Sequence, residues 1–156
     1  MGMQWAADIR FPTDEIVGLP LHPLVIHAVV VLVPLGSLGL IVMASSGARS
    51  KRYGPAVVFV AFVATLSAFF ARITGETFQQ QMGIQGADHF KYGDYEPWAA
   101  LLVLVFVSLL AAMDKQGGGK RNGVGQIVAL LGVLVGVGAT VLTVVVGHTG
   151  AQLVWG

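Results

Sequence analysis

The sequence contains no cysteine. That excludes disulfides, thiolate-held zinc, cysteine-anchored iron–sulfur clusters and covalent c-type haem attachment. Charge is nearly as scarce. Charged residues make up 11% of the 156-residue chain, against about 25% in an ordinary soluble domain. Nine basic residues almost cancel eight acidic ones, leaving +1, so there is no basic surface for nucleic acid. The first 20 residues carry Asp8, Arg10, Asp14 and Glu15 without a continuous apolar stretch, which argues against a cleavable signal. We read 1–20 as a short outer segment, with Trp5 and Phe11 at the lipid interface.

What is abundant is apolar sequence. Hydrophobic residues reach 55%, more than a chain of this length can hide in a water-soluble core. Four stretches have the roughly 20 apolar residues a spanning helix needs. They are expected at about 21–44, 55–76, 95–114 and 126–148. The fold class is therefore an all-α integral membrane protein, a four-transmembrane-helix bundle filling 21–156. Arg49, Lys51 and Arg52 fall in the first connection, and Lys115, Lys120 and Arg121 in the third. The positive-inside rule puts both connections in the cytoplasm and both termini outside. Gly132 and Gly136 form a GxxxG pair on helix four, suited to close packing and to a homo-oligomer contact.

Counting about 20 residues outward from each cytoplasmic boundary sets the depth of the ionisable side chains. His27, Glu76 and His148 then reach one level near the outer hydrocarbon edge. His22 and His89 form a second level above them. His22 and His27 are five residues apart, a turn of about 140°, and are expected on different faces of helix one. Arg72 stands one turn below Glu76, placed to pair with it or with an anion such as a haem propionate. Helix one opens after His22 and helix two closes with Gly75-Glu76. Helix three opens after His89 and helix four closes with Gly147-His148. Two related hairpins about an axis along the membrane normal would gather all these ends together.

The string GLPLHPLVIHAVVVLVPLG, then TGE at 74–76, His89 with Tyr92-Gly93-Asp94, and GHTGAQLVW at 147–155 are found in this order. Together they resemble a bacterial membrane family, domain of unknown function 2231, over most of the chain from Gly18. Some relatives in that family carry a Rieske iron–sulfur domain, so the resemblance implies redox chemistry in the bacterial inner membrane. Here the electron partner would be a separate Rieske-type or other redox protein, or a respiratory complex.

Neutral imidazole suits haem iron, copper and zinc, and helix bundles house such groups between facing side chains. The leading expectation is an outer-face site for b-type haem or a transition metal (copper, iron or zinc), used in electron transfer. His27 with His148 is the first axial pair, His22 with His89 the second, and Glu76 an oxygen ligand for a bare ion. Phe69, Phe70, Phe78, Trp98 and Trp155 are candidates to wall a flat cofactor. One alternative is a structural or assembly subunit of a respiratory complex, its histidines bonding the outer ends together. Another is metal-ion binding or transport, although helix interiors offer only Ser37, Thr65, Ser67, Ser108, Thr140 and Thr143 as a polar path. No serine stands near the histidines, so an independent enzyme is not expected.

Overall fold

The computed structural model describes residues 15–16, 19–82 and 88–155. The interface reading of Trp5 and Phe11 lies outside the described residues. A two-residue antiparallel ribbon, β1 (Glu15–Ile16) with β2 (Leu19–Pro20), leads into the helices. All else that is regular among the described residues is α-helix: α1 (Leu21–Ala44), α2 (Gly47–Met82), α3 (Asp88–Gly93), α4 (Glu96–Gln116) and α5 (Gly123–Trp155). Among the described residues, four helices are long and apolar enough to cross a membrane. At 1.5 Å per residue, even the 21 residues of α4 span about the 30 Å of a hydrocarbon core. The chain is a multi-pass, all-α membrane protein.

α2 begins eight residues before Pro55, which therefore lies inside the helix. That first stretch turns Gly47, Ser50 and Gly54 inward and Arg49, Lys51 and Arg52 outward. Its exposed charges make it an interfacial extension of an apolar span, so hydropathy alone understates the helix.

α1 packs on α2 and α5, α2 on α4, and α4 on α5, with α1 also touching α4 across the diagonal. The hairpins α1–α2 and α4–α5 thus pack with α1 beside α5 and α2 beside α4. This is the arrangement of two parallel repeats about an axis along the bundle. The core is built from Val29, Val33, Leu40 and Met43 of α1 against alanines of α2 and the Ala100–Val103–Val107–Leu110 stripe of α4. Small residues let these backbones approach closely. Gly132 and Gly136 face α1 within the chain: a Cβ on either would come within 3.2 Å of Leu40 or of the Ser37 carbonyl. The GxxxG pair is used inside the bundle rather than turned out toward a second copy. Phe59, Phe62, Leu66, Leu134 and Val144 are exposed and cover the outside with the apolar surface that lipid requires.

Candidate functional site: a duplicated histidine latch

His22 sits in the first turn of α1, just before Pro23, and its ring reaches across to the far end of α2. Its Nδ1 donates to the Ala71 carbonyl at 3.0 Å and lies 3.2 Å from Thr74 Oγ1. The ring rests on Gly75, where a Cβ would stand 2.8 Å from Cε1. The short helix α3 carries His89, and this ring does the same to α5. Its Nδ1 donates to the Val146 carbonyl at 2.9 Å, and a Cβ on Gly150 would stand 2.9 Å from Cε1. The threonine before each glycine repeats as well. Thr74 Oγ1 donates to the Phe70 and Ala71 carbonyls, and Thr149 Oγ1 to those of Val145 and Val146.

The same unit therefore occurs twice, once in each hairpin: a Thr-Gly pair near a helix end, an imidazole on the glycine, and Nδ1 on the carbonyl one turn back. A carbonyl can only accept, so each Nδ1 carries the ring proton. In the neutral ring the lone pair is then on Nε2. That is how metal-binding imidazoles are commonly oriented, with one nitrogen anchored and the other presented.

The deeper level expected from depth counting does not assemble. His27 is exposed, and its Nδ1 bonds the Pro23 carbonyl of its own helix. It shares a stripe with the exposed Val31, Leu35, Leu38 and Val42. His148 continues the exposed stripe of Leu134, Val137, Val141 and Val144, and Glu76 that of Phe62, Leu66 and Ile73. All three side chains face away from the bundle interior. Counting residues fixes height but not direction around an axis that turns about 100° per residue. His22 and His27 do lie on different faces. Among the described residues, no group of three or more His, Asp or Glu could hold a metal ion.

Arg72 is occupied by two carboxylates, with Nε 3.5 Å from Glu76 and 3.1 Å from Asp94. The second contact ties α2 to the corner between α3 and α4. Phe69 and Trp98 meet edge to face at 5.7 Å, and Phe90 stands edge-on to His89 at 5.4 Å. The Phe78 and Trp155 side chains lie outside the described ones.

Two buried carboxylates, Glu96 and Asp114, are not singled out by the sequence. Glu96, 5% exposed, begins α4. Its Oε1 lies 2.5 Å from Thr143 Oγ1, and its Oε2 has no partner among the described residues. The same Thr143 hydroxyl lies 2.9 Å from the Ala139 carbonyl, so one proton has two acceptors in reach. At the opposite, basic end, Asp114 is 1% exposed and receives Arg121 through Nε at 2.9 Å and Nη2 at 2.8 Å. The guanidinium also donates to the Met43 and Ala44 carbonyls at the end of α1, where helical donors run out; Met43 also accepts the Ser46 N–H at 3.3 Å. The loop that delivers Arg121 turns through Gly118 and Gly119 at φ of 64° and 87°, a region where glycine is at ease.

A family model described as a predicted membrane protein, domain of unknown function 2231, matches residues 18–156. The chain belongs to this family. No curated protein and no solved structure matches it significantly. The strings that carry the family resemblance also build the latches. GLPLHP holds His22, TGE holds Thr74 and Gly75, and GHTGAQ holds Thr149 and Gly150. Family membership supplies a membrane location and no activity.

Proposed function

We propose that this chain is an electron-transferring subunit of the bacterial cell membrane, holding a b-type haem between His22 and His89. The basic end faces the cytoplasm in this reading and the histidine end faces outward. The observation that carries it is the duplicated latch. Two imidazoles, one from each hairpin, have Nδ1 pinned to a helix carbonyl, which makes Nε2 the ligating nitrogen on both. Haem asks the protein for only two axial ligands, whereas bare zinc asks for three or four. A two-imidazole donor set fits the first requirement. The haem would supply the one-electron couple. His22 and His89 would hold its iron, and their carbonyl bonds would fix ring orientation and raise imidazole basicity. Redox partners in this reading are separate proteins of the respiratory chain.

The test is haem titration of the purified protein in mild detergent, followed by optical spectrum and iron content. A Soret band of a bis-imidazole haem is expected. It should be lost in His22→Ala and in His89→Ala while helical circular dichroism is retained. A wild-type protein that stays colourless after titration refutes the reading. A second reading, a structural or assembly subunit, is favoured by the fact that both latch bonds tie helix ends together. It predicts that both alanine variants lose stability and that no haem is taken up by any of the three proteins.

A further inference from the structure

At the end opposite the histidines, a cavity of about 420 Å³ opens between α2 and α4. Lys51 and Lys115 line it at the charged end, and Pro55, Val58 and Ala111 supply apolar wall. Both lysines are exposed. The acid nearest to them in sequence, Asp114, is buried and bound bidentately by Arg121, so its charge is already answered. Arg52 is turned onto the Tyr53 ring at 5.4 Å. The Lys51 stem passes over Gly119, whose Cβ would meet Cδ at 3.3 Å. The cavity therefore presents two cations above an apolar groove between membrane-spanning helices, with the local carboxylate neutralised.

We propose that this groove binds an anionic phospholipid, its phosphate between the Lys51 and Lys115 ammonium groups and an acyl chain along the Val58–Ala111 wall. The charge selects the headgroup. The location selects a lipid over a soluble anion, because the apolar part of the site runs into the spanning segments of α2 and α4. Basic pockets between helices at a membrane face are suited to acidic headgroups.

The test compares the full chain in nanodiscs of pure phosphatidylcholine with nanodiscs containing phosphatidylglycerol, scoring retained lipid by native mass spectrometry. Wild type is expected to retain phosphatidylglycerol preferentially. Each of Lys51→Ala and Lys115→Ala should weaken that preference about fivefold, and the double variant about 30-fold, from the worth of one basic residue at an anionic surface. Lys120→Ala removes a charge at the same end but outside the groove, and should leave the preference within twofold of wild type. Thermal unfolding in phosphatidylcholine should be the same for wild type and all four variants, since the side chains are exposed. A Lys120→Ala loss as large as that of Lys51→Ala would mean a diffuse field and overturn the site. An unchanged preference in the double variant would also overturn it, as would equal displacement of the lipid by inorganic phosphate.

Discussion

Arg121→Ala should be the most damaging single loop substitution among the described residues. Three losses coincide. Asp114, 1% exposed, is left as a buried charge without its partner, and the Met43 and Ala44 carbonyls each lose a bond from the guanidinium. Breaking a buried pair by removing one member costs about 3–5 kcal/mol. For a chain of this size, 1 kcal/mol corresponds to about 2–4 °C in Tm. The expected fall is therefore about 6–20 °C, measured by helical circular dichroism on heating in mild detergent. Asp114→Asn should cost less, about 1–2 kcal/mol, because Arg121 keeps both carbonyls and the Asn oxygen still accepts. Asp114→Ala combined with Arg121→Ala should recover part of the loss, since no orphaned charge remains. If Arg121→Ala unfolds within 3 °C of wild type, or the double variant is no better than the single, the pair does not clamp the bundle.

Gly75→Ala and Gly150→Ala each place a Cβ under 3 Å from an imidazole carbon. Each should cost about 1–3 kcal/mol as overpacking and displace the ring, seen as loss of protection of its Nδ1 proton by NMR. His27→Ala and His148→Ala should change stability by less than about 0.5 kcal/mol and leave haem uptake at the wild-type level. Reduced uptake in either would restore those residues to the site. Glu96→Gln should not lower the unfolding temperature, because the amide can donate to Thr143 and release its proton to Ala139. A drop of more than about 4 °C would show that the ionised carboxylate is required.

Span number and class were legible because a lipid-exposed helix must be apolar along its whole length, and length alone then reveals it. The same uniformity hid which face turns inward. On α1, Val31 at 61% exposure and Val33 at 1% are the same residue type, so no periodicity in the sequence separates them. His27 was placed at a height and could not be given a direction. His22 was better placed because a residue at the helix start, beside Pro23, has a neighbouring helix end to meet. The duplication was visible, but its register was not. Pairing Gly75-Glu76 with Gly147-His148 followed the ionisable neighbours. The rings instead rest on Gly75 and Gly150, each preceded by threonine, because a ring can lie only where a Cβ is missing. Glu96 was hidden by Pro97, which makes an acidic neighbour look like ordinary helix-start chemistry. Its spacing to Ala100, Val103, Val107, Leu110 and Asp114, steps of four and three, was the available signal. Arg121 reads as a loop charge in the sequence, since nothing local says that two carbonyls of α1 lie beside it.

The two latches close each hairpin on itself, whereas Arg121 fastens the second hairpin to the first. Opposite ends of the molecule are therefore joined by different means. At the basic end the seam between hairpins is crossed by the Arg121 guanidinium, which buried Asp114 holds from its own hairpin while it donates to the Met43 and Ala44 carbonyls of the other. At the histidine end it is bridged by Arg72 and Asp94, whose side chains are 36% and 56% exposed, a contact worth about 0–1 kcal/mol. The histidine end is therefore the more weakly fastened of the two, and hairpins that separate are expected to part there first. Each hairpin carries its own imidazole at that end, anchored by a bond that lies within the hairpin and does not cross the seam.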